Sequence, residues 1–60
     1  LPYRVRVTIP DLNVRKGPGR LFGKNGVTGI GVFTITEEKN GWGKLKSGAG
    51  WICLSYTQRI

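Results

Sequence analysis

Three acids (Asp11, Glu37 and Glu38), one thiol (Cys53) and no histidine are the groups from which this 60-residue chain could assemble proton-transfer or nucleophilic chemistry. General acid and base work needs carboxylates that converge on one substrate. Glu37 and Glu38 are adjacent in an alternating segment, where successive side chains point to opposite faces, and Asp11 stands alone after a proline. The three acids therefore read as a turn former and a solvated strand end. Cys53 has no imidazole to activate it, and its neighbours Ile52 and Leu54 mark it as a small buried hydrophobe. Each Gly-x-Gly, starting at Gly17, Gly29, Gly41 and Gly48, lacks the third glycine and the following helix of a phosphate-binding loop. The expectation is a domain without catalytic residues, cofactor or metal.

Charge is the strongest physical signal. Ten Lys and Arg against three acids give a net charge of +7, which attracts polyanions: nucleic acid, an acidic lipid surface, or the anionic polymers of a Gram-positive wall. Charge does not choose among these, and a basic surface also serves plain solubility. Aromatics interleaved with cations would mark a nucleic-acid surface, and the nearest cases are Tyr3-Arg4-Val5-Arg6 and Trp42-Gly43-Lys44. Alternation puts Tyr3 on the face opposite Arg4 and Arg6, which argues against it.

The elements that must position these groups read as strands. Tyr3 to Ile9 alternates, with Tyr3, Val5, Val7 and Ile9 on one face, and Pro10 breaks the ladder before Leu12-Asn13-Val14-Arg15 resumes it. Gly17-Pro18-Gly19 turns, and the glycine-rich stretch from Arg20 to Gly31 reads as a long exposed loop. Gly31 to Glu38 is a third strand, joined through an Asn40-Gly41 hairpin turn to a fourth from Trp42 to Lys46. Ser47 to Gly50 turns again. Trp51-Ile52-Cys53 is a short fifth strand with Trp51 packed in the core, Leu54-Ser55-Tyr56 is one helical turn, and Thr57 to Ile60 closes the sheet. Trp42, beside its turn, is open to either core packing or ligand contact. No window carries a sustained helical period, and none approaches the ~18 apolar residues of a membrane span, so no membrane insertion is expected. The pattern predicts an all-β domain over residues 1–60, a small barrel of five to six strands. Its start without methionine and its apolar end read as a segment of a longer protein.

The runs LNVRKGPG (12–19) and EEKNGWGKLKSGAGWI (37–52) resemble the bacterial Src-homology-3-like domain of peptidoglycan hydrolases. Leu12-Asn13-Val14-Arg15 with Gly17-Pro18-Gly19, Asn40-Gly41-Trp42 and Gly50-Trp51-Ile52 carry the likeness. The run from Trp42 to Trp51 is most similar to domains of phage lysins and autolytic amidases of clostridia-like Gram-positive bacteria. Arg20 departs from the family pattern, standing where a small hydroxyl residue is common, and Cys53 stands where serine is usual.

The resemblance implies an SH3-like barrel attached to a catalytic domain, such as an amidase or muramidase, which it holds on the cell wall outside the cell, whether of phage or bacterial origin. The partner implied is peptidoglycan, through its peptide part, and nucleic acid is not expected. A groove between the Asn13-to-Phe22 region and the hairpin around Asn40 would hold it. Asn13 would bond peptide amides, Arg15 and Arg20 would meet carboxylates in forked geometry, and Tyr3, Phe22, Trp42 and Tyr56 would offer flat apolar contact. Arg15 could equally brace its loop against Glu37 or Asp11. Two other classes stay open: a nucleic-acid-binding barrel, and a module gripping proline-rich segments between aromatics.

Overall fold

The computed structural model describes residues 2–60. Alternation of branched apolar and basic residues makes β1 (Tyr3–Val7), with Val5 and Val7 buried and Arg4 and Arg6 exposed. It stops short of the expected Ile9 because the chain turns toward Pro10, which has no N–H to continue a ladder, yet Ile9 still packs on the core. The other strands are β2 (Leu12–Arg15), β3 (Lys24–Thr28), β4 (Gly31–Lys39), β5 (Trp42–Leu45), β6 (Trp51–Cys53) and β7 (Thr57–Arg59). A single 3-10 turn, Leu54–Tyr56, separates the last two. No helix among the described residues is long and apolar enough to cross a membrane.

The fold is all-β: one antiparallel sheet of seven strands in the order β3-β2-β6-β5-β4-β1-β7. This corrects the expected count of five to six. The added strand is β3, inside the stretch expected to be a loop. Lys24-Asn25-Gly26-Val27-Thr28 has little strand propensity and only Thr28 is buried, so β3 exists through its partner β2. Asn13 pairs Val27 while Arg15 pairs Lys24, which leaves one extra residue on β3. Gly26, at φ 106°, absorbs it as a bulge, and the Asn25 side-chain amide donates to the Ala49 carbonyl at 2.6 Å, tying this edge to the β5–β6 turn. The ladder does not join β3 to β7, so hydrogen bonding does not close the sheet into a barrel.

The β4–β5 hairpin follows its sequence directly. Asn40 and Gly41 adopt φ 55° and 80°, the left-handed pair that a two-residue hairpin turn requires, and Lys39 faces Trp42 across it. The inner face of the curled sheet buries Val5, Val7, Leu12, Val14, Ile35, Leu45 and Ile52, with Tyr3, Ile9, Phe33 and Leu54 packed against them. In β6 only Ile52 points inward. Trp51 and Cys53 lie on the opposite face and are only partly buried, which corrects the expectation that both belong to the core. Trp42 is the more buried tryptophan, at 9% exposure.

Candidate functional site

Outward-facing residues of β2, β5 and β6 meet the turn after β2 and the 3-10 turn in a cleft of about 160 Å³, lined by Leu12, Asn13, Arg15, Arg20, Trp42, Cys53 and Tyr56. The two-residue period places Asn13 and Arg15 on one face of β2, with Leu12 and Val14 buried behind them. Cys53 pairs Trp42 across β5 and β6, so both reach the cleft from adjacent strands. Tyr56 is carried by the 3-10 turn, which is fastened at both ends. Leu54 N–H donates to the Gly41 carbonyl at 3.0 Å, and the Thr57 hydroxyl donates to the Leu54 carbonyl at 2.9 Å. The turn therefore hangs from the tip of the β4–β5 hairpin, and Tyr56 stays 59% exposed beside the cleft.

Arg15 does brace its loop, but not against an acid. Its Nη1 donates to the Phe22 carbonyl at 3.3 Å, and its Nε is buried without a partner among the described residues. Glu37 instead faces Lys44 at 3.6 Å, the one ion pair among the described residues. The lining thus holds two guanidinium groups, one amide and two aromatic rings, and no acid. Such a lining favours a ligand with carboxylate or phosphate groups and flat or amide surfaces, because Arg presents a planar fork of donors.

Of the residues singled out from the sequence, Asn13, Arg15, Arg20, Trp42 and Tyr56 come together, while Tyr3 and Phe22 do not line the cleft. Phe22 folds onto the turn before it. Its N–H donates to the Gly19 carbonyl at 3.3 Å, and its ring covers Gly17 so closely that a side chain there would collide with it. Its contribution to the cleft is the carbonyl that holds Arg15. Tyr3 is on β1, where it packs on the core and carries the Arg59 guanidinium 4.0 Å above its ring. Leu12 and Cys53 complete the lining, and neither is expected from the sequence to contact a ligand. The signal for Cys53 was the period shared with Trp51, hidden by its apolar neighbours.

Burial and the nearby Glu38 carboxylate push the Tyr3 phenol up from 10.0 to about 12, against the Arg59 cation, which pulls it down. A pKa raised on folding stabilises the fold fully below the unfolded value, and this contribution disappears as pH climbs through the folded one. Tyr3→Phe should therefore abolish the highest step in an ultraviolet absorbance titration and flatten the loss of stability between pH 10 and 12. An unchanged alkaline titration would separate Tyr3 from Glu38.

A second, larger groove of about 400 Å³ lies on the β4–β5 flank, lined by Val32, Phe33, Thr34, Leu45, Lys46 and Ser47. It offers one charged group and no ring besides Phe33, so the smaller cleft is the better recognition site despite its size. No family model, no curated protein and no solved structure matches the chain.

Proposed function

We propose that this domain is a non-catalytic, cell-wall-targeting module of the bacterial SH3-like type, and that its cleft holds the peptide part of peptidoglycan. The observation that carries the reading is the convergence of Asn13, Arg15, Arg20, Trp42 and Tyr56 on one cleft without an acid. A wall peptide offers free carboxylates for the guanidinium groups, amides for Asn13 and aliphatic surface for the rings. The sequence likeness in residues 12–19 and 37–52 supports the same reading. On it, the module works outside the cell, joined to a peptidoglycan hydrolase whose reaction it localises without taking part.

Retention on purified Gram-positive sacculi, stripped of their anionic polymers so that charge alone does not suffice, tests the proposal. Wild-type protein should sediment with stripped sacculi. Tyr56→Ala and Arg20→Gln, both at exposed positions, should weaken retention roughly five- to thirtyfold with unchanged melting. A chain that ignored stripped sacculi but bound oligonucleotides with a steep salt dependence would be a nucleic-acid module instead.

A further inference from the structure

The outer face of the sheet carries a second row of side chains beside the cleft. Strand register sets Lys24 of β3 opposite Arg15 of β2, Arg15 opposite Trp51 of β6, Trp51 opposite Lys44 of β5, and Lys44 opposite Glu37 of β4. From Lys24 to Lys44 the row crosses four adjacent strands, a span of ~14 Å. Trp51 is only partly buried, Lys24 is exposed, and the Lys44 side chain retains 42% exposure.

Two features point to a ligand. Lys24 and Arg15 are like charges directly opposite one another, an arrangement that destabilises a sheet unless something neutralises it, and neither has an acid partner among the described residues. The indole between Arg15 and Lys44 is a flat apolar surface with cations on both sides. A polyanion relieves the repulsion, and one with a ring at the centre also covers Trp51.

We propose that this face is a second binding site, for an anionic glycan, with a sugar ring over Trp51 and its carboxylate or phosphate groups on Lys24, Arg15 and Lys44. A single-stranded nucleic acid fits less well. Sequence-tolerant tracks stack successive bases on successive rings, and the row from Lys24 to Lys44 holds one ring, Trp51. The site shares Arg15 with the cleft but does not depend on the cleft holding a peptide. Glu37 has a defined role in it: paired with Lys44 at 3.6 Å and itself 59% exposed, it partly neutralises one end of the row and repels an anionic chain.

The test measures affinity of the full chain for polygalacturonate, a phosphorylated mannan, poly-L-glutamate and a thymidine oligonucleotide at two salt concentrations. The two glycans separate carboxylate from phosphate as the recognised group. At least one should bind more tightly than poly-L-glutamate, which has the charge without the rings. Trp51→Leu should weaken that glycan roughly three- to tenfold and leave poly-L-glutamate unchanged. Lys24→Gln should weaken it, and Glu37→Gln should strengthen it, each roughly two- to fivefold at low salt. Should Trp51→Leu fail to fold, the opposite shifts of the two exposed-residue variants decide the matter. Tighter binding of the oligonucleotide than of either glycan would overturn the proposal, as would poly-L-glutamate matching the glycans or a Glu37→Gln variant without gain. Loss of binding to stripped sacculi with glycan binding intact would count against the cleft reading alone.

Discussion

Replacing Gly50 by alanine should unfold a large fraction of the protein. Gly50 sits at φ 139°, where side chains are strained, and an added methyl group would strike the Arg15 carbonyl oxygen and come within 2.9 Å of Val14. The obstacle on one side is backbone, so no rotamer change relieves it. Gly50 directly precedes Trp51, and Arg15 with Trp51 is the register pair that joins β2 to β6. Pushing these strands apart detaches the β3–β2 edge, and with it the Asn13 and Arg15 wall of the cleft. A cost of about 2–4 kcal/mol is expected, a large share of the about 3–9 kcal/mol typical for a chain this long. The melting temperature should fall by more than about 10 °C. Gly48→Ala is the control: its φ of 83° carries similar strain, but nothing lies within 4 Å of the new methyl group, so it should cost only about 1–2 kcal/mol. Equal melting of the two variants would show that the close approach to Arg15 is not structurally important.

Trp42→Ala should also unfold the protein, and for that reason it is a poor probe of binding. The side chain is 9% exposed, and truncating a buried aromatic costs about 3–5 kcal/mol through lost burial and the cavity left behind. Trp42 forms the cleft wall between Cys53 and the hairpin turn, so a collapsed variant loses ligand for reasons unrelated to contact. Trp42→Phe separates the two effects. It keeps an aromatic in the site, should cost less stability than the alanine variant in urea titrations, and should still weaken retention on stripped sacculi because the cleft widens. Full retention by Trp42→Phe would remove Trp42 from the ligand surface.

The parts of this fold that were legible in the sequence are those specified locally. Val5 and Val7, then Leu12 and Val14, announce buried strand faces by their period, and Asn40-Gly41 specifies its turn because few residue pairs tolerate two positive φ values. β3 was not legible, since Lys24 to Thr28 has the composition of a loop and is held by pairing with β2 and by the Asn25 tether to Ala49. The same division runs through the cleft. Period alone identifies the face on which Asn13 and Arg15 lie, but the meeting with Tyr56 depends on the fastening of the 3-10 turn to Gly41, a contact distant along the chain. Period also put Tyr3 on an inward face without revealing that β1 lies beyond β4, away from the cleft. Phe22 is a ligand contact only by the family resemblance, whereas its ring lies on the turn against Gly17, where the absence of a side chain leaves room for it. Trp51, expected in the core, is only partly buried, and Trp42, open to either role, is the more buried of the two and lines the cleft, for a related reason. Their burial depends on how far the sheet curls over each, which neighbouring residues do not encode.

The central claim, that one acid-free cleft recognises a wall peptide, is tested most directly by nuclear magnetic resonance titration of labelled protein with soluble muropeptides. The shifts should concentrate on the Asn13 side-chain amide, the Arg15 and Arg20 guanidinium signals, the Trp42 indole N–H and the Tyr56 ring, with β1 and the β4–β5 flank groove unmoved. Shifts centred on Val32 to Thr34 and Lys46, or no shifts at millimolar muropeptide, would contradict it.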